Sequence, residues 1–141
     1  MNLDTPAPFQ IEHLGPWEGM GRYSFGPLVG KVFTRDTLGL TSCEISLNLV
    51  KAGQGMPFLH AHNQNEEVYI VVAGDGVFHL DGQELPITEG DVVRVSPSAA
   101  RGYRAGDHGM HLICVQAKAG SLEQATRGDG YRLEAKASWM V

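Results

Sequence analysis

Turn-forming residues recur at short intervals along this chain and leave little room for long elements. The 141 residues include 18 glycines and 7 prolines, the two residue types that most strongly interrupt regular structure. Asp81-Gly82 is a dipeptide typical of a two-residue hairpin turn. Between such turns lie short apolar runs, roughly eight of them, and no long amphipathic helical pattern. The sequence therefore predicts an all-β chain folded as an antiparallel sandwich or barrel.

The run 41–50 shows the period of a half-buried strand. One face carries Cys43, Ile45, Leu47 and Leu49, and the other carries Glu44, Ser46 and Asn48. Side chains two residues apart on a strand share a face. A barrel with a polar cavity would turn Asn48 inward, whereas a barrel with an apolar interior would expose it. The pattern alone leaves both orientations open.

Length and charge limit the class of protein. A chain of 141 residues forms one domain, 1–141, and is too short for two. The net charge of −5, from 11 basic and 16 acidic side chains, argues against a nucleic-acid partner, which requires a basic face. No apolar run approaches the length of a membrane span. Residues 1–5 lack the features of a secretory signal, so we expect a cytoplasmic protein with no membrane partner.

The two cysteines and the two ends of the chain carry no evident chemistry. Cys43 and Cys114 lie in apolar strand-like runs, which indicates buried reduced thiols.

We place the core at about 41–117, with an N-terminal arm and short strands over 1–40 and a C-terminal arm over 118–141. A helix is predicted at 121–125, where a serine is well placed as N-cap. The C-terminal arm has three apolar anchors, Tyr131, Leu133 and Trp139.

The stretch 55–74 contains the most informative polar residues. His60 and His62 are two residues apart, so on a strand both imidazoles face one point. The polar turn 63–65 follows, and a hairpin there would bring Glu67 opposite the two histidines. Two imidazoles and one carboxylate form a facial metal site with open positions, suited to iron(II) and other divalent ions. The competing interpretation is a surface hairpin with solvated histidines.

This stretch resembles the first motif of the cupin family. That motif has a glycine, His-x-His, a glutamate and a second glycine, and Gly55, His60, His62, Glu67 and Gly74 fill these places in order. The resemblance implies a double-stranded β-helix, the cupin or jelly-roll barrel, and a homodimer. It also implies that both histidines and Glu67, in preference to Glu66, bind a metal inside the barrel.

The second cupin motif is matched only in part. Gly90, Asp91 and Pro97 occupy their places, but Arg101 stands where the family has a third histidine. A guanidinium donates hydrogen bonds only and cannot bind a metal. Its charge at about 5 Å from a divalent ion, at an effective dielectric near 20, costs roughly 6 to 7 kcal/mol before relaxation and screening. This departure puts metal occupancy in doubt.

Three placements of Arg101 are compatible with the sequence. The side chain could pair with Glu67 and leave a metal-free pocket, anchor a carboxylate or phosphate of a ligand, or face solvent from a loop. His111 and His79 are weaker candidates for reaching the pocket and replacing the missing histidine.

Two functions follow from the resemblance. The first is an enzyme such as an isomerase or dioxygenase, dependent on iron, manganese, nickel or zinc and without an organic cofactor. Its metal would be held by His60, His62 and Glu67, Arg101 would bind an anionic substrate, and Phe58 and Tyr69 would form pocket walls. The alternative is a non-catalytic small-molecule binding or sensing module with a metal-free pocket closed by Glu67 and Arg101. The fold alone does not choose between them.

Overall fold

A computed structural model describes residues 7–141 of the chain. It contains eight strands and one short α-helix, α1, at Arg35–Leu38. The strands are β1 (Ser24–Phe25), β2 (Leu28–Val29), β3 (Lys31–Phe33), β4 (Glu44–Val50), β5 (Asn65–Leu80), β6 (Gln83–Thr88), β7 (Val92–Val95) and β8 (Arg101–Lys118). Two 3₁₀ helices occupy Trp17–Arg22 and Thr126–Gly128.

The two longest strands organise the fold. β5 and β8 pair antiparallel along most of their length and form the centre of a sheet with the order β3-β4-β8-β5-β6. β7 adds to the first half of β5, and β6 pairs with its second half. Each long strand therefore serves both layers of the sandwich. The all-β prediction is confirmed, and the antiparallel architecture is that of a double-stranded β-helix.

Both long strands continue through positions where the sequence predicted turns. The glycine-rich segments 74–76 and 106–109 are typical of turns in sequence, yet they lie within β5 and β8, whose pairing shifts register at 71–76. Gly74 has φ +80°, and a Cβ on it would collide with the carbonyl of Gly109 on β8. Glycine thus permits a bulge and a close strand crossing at this position, which keeps the strand continuous.

The core lies between the two layers. Its largest fully buried apolar side chains include Phe78, Met110, Leu112 and Val71. On β4 the polar face turns inward, since Ser46 and Asn48 are each only 3% exposed. The barrel therefore has a partly polar interior, which settles the orientation that alternation left open.

Two local predictions are wrong. The histidine segment does not form a hairpin with β5; Gly55 and His60 instead make isolated bridges to Arg104 and Arg101 of β8. The predicted helix at 121–125 is absent, and only the 3₁₀ turn Thr126–Gly128 follows. The expectation about residues 1–5 lies outside the described residues. Within 7–141, no helix is both long enough and apolar enough to cross a bilayer.

Candidate metal and ligand site

The structure brings His60, His62 and Glu67 together from two different segments. His60 is held by a pair of backbone hydrogen bonds with Arg101, of 3.1 and 3.0 Å, and the His62 amide donates to the Pro97 carbonyl at 2.8 Å. Glu67 lies on β5, between β7 and β8. One donor atom from each of the three side chains lies within 4.8 Å of the others. The competing interpretation of splayed, solvated histidines does not describe this arrangement.

Glu67 is the most enclosed member of the cluster. Its Oε1 accepts hydrogen bonds from the Tyr69 hydroxyl and from Arg101 Nη1, each at 2.8 Å, and its Oε2 lies 3.1 Å from the Cys114 thiol. Burial disfavours the carboxylate, but hydrogen bonds from His60, Tyr69 and Cys114 and the charge of His62 outweigh burial and lower the pKa of Glu67 to about 2. The carboxylate is therefore ionised at neutral pH.

Arg101 is fully buried at the start of β8. Its Nη1 pairs with Glu67, and its Nη2 donates to the carbonyls of Ser96 and Pro97 at 2.5 and 3.1 Å. The solvent-facing placement is wrong, because the side chain is 0% exposed. Of the two remaining placements, the structure shows the ion pair with Glu67. Arg101 is not among the residues that line the adjacent cavity, so its role as a ligand anchor has no support from this geometry.

The spacing of the three donor atoms matches that of ligands around a divalent ion. The Nε2 atoms of His60 and His62 each lie 3.4 Å from Glu67 Oε1, and two ligands bonded at about 2.1 Å to one tetrahedral ion are roughly 3.4 Å apart. His62 Nε2 is buried and has no hydrogen-bond partner in the described chain, which suits a nitrogen reserved for a metal. Two imidazoles and an ionised carboxylate therefore fit such an ion.

A cavity of about 260 Å³ opens beside the cluster. Its lining is mainly aromatic and aliphatic, with a few polar groups, as ligand pockets commonly are. Both predicted wall residues line it: Phe58 is half exposed at the rim, and Tyr69 is buried. A larger and more open groove of about 560 Å³ adjoins the cavity but does not contain the two histidines or Glu67. The chemistry places the site in the smaller cavity.

Other residues considered from the sequence lie elsewhere. His111 stacks on Trp17, with ring centroids 4.9 Å apart, and does not line the cavity. His79 accepts a hydrogen bond from the Gly82 amide. Glu66 lies 3.7 Å from Arg94 in a largely exposed pair. None of these three belongs to the donor cluster.

Cys114 and Lys31 are among the cavity residues that the sequence did not assign to the site. Cys114 is the buried free thiol that the sequence predicts, and its Sγ lies 3.1 Å from Glu67 Oε2, a contact that no sequence pattern indicated. Burial raises the pKa of Cys114, so it stays a thiol. Lys31 also lines the cavity, from the short strand β3. A signal existed in the period-two spacing of Lys31 and Phe33, but a three-residue strand is too short for its buried face to be recognised from sequence.

The cupin domain family matches residues 47–116 of this chain. A crystal structure of a cupin protein from Bacteroides fragilis is 32% identical, covers 91% of this chain and 99% of its own, and superposes with a TM-score of 0.77. A Cupin 2 conserved barrel domain protein from Salinispora arenicola is 24% identical, with a TM-score of 0.51 over 56% of this chain and 66% of its own, and this likeness concerns the fold alone.

A curated protein, the oxalate-binding protein of Thermotoga maritima, matches a short segment. The identity is 47% over 34 residues, which are 24% of this chain and 28% of that protein. The chain thus corresponds to less than a third of this relative's length. The full-length agreement with the Bacteroides protein, the domain match and the observed barrel all point to the same family, and the chain is a cupin.

Proposed function

We propose that this cupin is a divalent-metal-dependent enzyme acting on a small molecule, such as an isomerase or a dioxygenase. The observation that carries the proposal is the convergence of His60, His62 and Glu67 on the wall of a 260 Å³ cavity. Iron, manganese, nickel and zinc all accept imidazole and carboxylate ligands. Three protein ligands leave coordination positions open toward the cavity, as catalytic sites require.

The bound ion would supply a Lewis acid or a site for O₂ activation. The chain's own residues prepare that site. Tyr69 and Arg101 hold the Glu67 carboxylate in one orientation by hydrogen bonds to Oε1, and the low pKa keeps that carboxylate ionised. Phe58, Tyr69 and neighbouring apolar side chains give the cavity a largely apolar wall. Such an environment strengthens electrostatic interactions with a bound substrate.

Oxalate is a reasonable first ligand to examine. The Thermotoga protein named for oxalate binding shares 34 aligned residues with this chain, and a small dicarboxylate is compatible with a cavity of about 260 Å³. We therefore extend the proposal to small carboxylic acids as a ligand class, with oxalate as the representative compound.

A second candidate is a non-catalytic binding or sensing protein without a metal. It is favoured by the Arg101–Glu67 pair, because Tyr69 and Arg101 already occupy both lone pairs of Oε1. A metal would have to displace one of these donors or share the carboxylate. In this alternative, the guanidinium neutralises Glu67, and the two histidines serve as hydrogen-bonding groups for the ligand.

Metal analysis of protein purified without chelator separates the two candidates. We expect close to one equivalent of a divalent metal per chain in the wild type and in a His79→Ala control, and loss of that metal in His60→Ala. His79 is the matched control because it is a partly exposed histidine outside the cluster. Absence of metal in the wild type, together with its acquisition by Arg101→His, would establish the metal-free candidate instead.

A further inference from the structure

Lys31 is the one lysine or arginine among the described residues that line the cavity. It begins β3 and pairs with Asn48 of β4, on the wall that also carries Ser46. The lining includes Glu67 and both histidines of the donor cluster. Lys31 and the candidate metal site therefore line the same cavity.

The contacts of Lys31 satisfy only part of its ammonium group. Nζ donates one hydrogen bond to Asn48 Oδ1 at 2.6 Å and lies 5.1 Å from the ring centroid of Phe33. An ammonium has three donors. Within residues 7–141, no carboxylate oxygen lies within 4 Å of Nζ. Burial lowers the pKa of Lys31, and the charge of Glu67 offsets this only in part, as expected for a cation that lacks an adjacent counter-ion.

The charges around the cavity leave Lys31 uncompensated. Glu67 is the one carboxylate among the described lining residues, and it is paired with Arg101 at 2.8 Å. When protonated, Lys31 therefore adds a positive charge that no side chain of the lining neutralises. Lys31 is partly buried, so its charge is partly desolvated, and an accompanying anion would reduce that cost. A bound anion would also accept hydrogen bonds from the donors that Asn48 leaves free.

We propose that Lys31 binds the carboxylate of the small molecule that occupies the cavity, the role the sequence suggested for Arg101. A carboxylate group fits better than a phosphate, because a carboxylate presents two oxygens in one plane, whereas phosphate oxygens point in several directions and take more donors, and here the lining offers a single lysine. This inference rests on the proposed ligand site and specifies the chemical class of its occupant and the residue that selects it.

The test is calorimetric titration of the protein as purified with oxalate, acetate, acetamide and inorganic phosphate. We expect wild type and Lys51→Met to bind oxalate equally, within twofold, and Lys31→Met to bind it at least tenfold more weakly with its metal content unchanged. Lys51 is a suitable control because it is exposed and lies outside the cavity lining. Acetamide, which lacks the charge, should bind equally weakly to wild type and Lys31→Met.

A measurement on the wild-type protein covers the case in which Lys31→Met does not fold. After reductive ¹³C-methylation of the lysines, oxalate should shift the NMR signal of Lys31 and leave that of Lys51 unchanged. Oxalate binding that is unaffected in Lys31→Met, preference for phosphate over every carboxylate, or a metal-loaded protein that binds no carboxylate would overturn this inference. Those results would leave the proposed metal-dependent function standing. That function would be contradicted by a different result, the absence of metal from the purified wild-type protein.

Discussion

At the scale of single residues, Arg101 distinguishes this protein from the cupin pattern. The third histidine of the second motif would contribute a neutral ligand, whereas Arg101 contributes a buried cation that pairs with Glu67. With histidine at position 101, the Glu67 carboxylate would be available to a metal alone. With arginine there, Glu67 shares its carboxylate with a guanidinium. Because Arg101 is paired with Glu67 and does not line the cavity, its charge is not available to a ligand. Lys31 is the cation that lines the cavity.

Replacing Arg101 with methionine should destabilise the chelator-treated protein by about 3 to 5 kcal/mol, because Glu67 would remain buried without its ion-pair partner. Urea unfolding measures the effect. Arg94→Met is the control; its pair with Glu66 is 3.7 Å long and largely exposed, so its loss should cost less than about 1 kcal/mol.

Adding Glu67→Met to Arg101→Met should recover part of the lost stability, since the double variant leaves no isolated charge in the barrel. If Arg101→Met unfolds at the same urea concentration as Arg94→Met, the ion pair contributes nothing that an exposed pair does not, and our description of the site would be wrong.

At the scale of elements, β5 and β8 show how glycine extends a strand as well as ending it. The sequence around Gly74 is typical of a turn, but β5 continues through it. β8 lies so close to Gly74 that only a residue without a Cβ fits, and β5 bends there through a bulge. The bend directs the second half of β5 into the other layer.

Gly74→Ala should cost more stability than Gly82→Ala. Both glycines have positive φ, of 80° and 89°, so alanine at either site costs about 1 to 2 kcal/mol for the left-handed backbone. Gly82 has open space for a methyl group, whereas at Gly74 the methyl meets the Gly109 carbonyl, which adds about 1 to 3 kcal/mol for overpacking. The difference between the unfolding free energies of the two variants measures the cost of the close contact between β5 and β8 at Gly74. Equal costs in the two variants would contradict that contact.

At the scale of the whole molecule, the C-terminal arm is the least explained segment. Residues 119–141 contribute no side chain to the buried core, although the arm carries large apolar groups. Tyr131, Leu133 and Trp139 are 85%, 73% and 78% exposed. Large exposed apolar side chains are often covered by a partner when they form one patch. We propose that a second copy of the chain covers it, in a homodimer.

Light scattering should give twice the 15.3 kDa mass of one chain for the wild type. The double variant Leu133→Glu, Trp139→Glu should shift the protein toward the monomer, because charges in an apolar interface are costly. Val92→Glu is the control, since Val92 is also exposed and apolar, at 65%, but lies on β7 outside the arm. A monomeric wild type at tens of micromolar would exclude this dimer.

Much of the site and of the fold class could be predicted from the chain alone. Period-two spacing places His60 and His62 on one side, and the turn-rich composition predicts an all-β fold; both are local properties that a few neighbouring residues determine. The resemblance to the first cupin motif named Glu67 in preference to Glu66. These expectations agree with the arrangement in the structure even though the supporting hairpin is absent, because β8 holds the histidine segment in place of β5.

The tertiary structure decided what depends on distant partners. The inward turn of Asn48, the pairing of Arg101 with Glu67 across 34 positions of sequence, and the place of Lys31 in the cavity lining each follow from strands that meet only in the folded barrel. Spacing can state which side chains share a face. Whether a side chain is buried, whether its charge is compensated and whether a ligand can reach it depend on the residues packed against that face. Those residues come from distant parts of the chain.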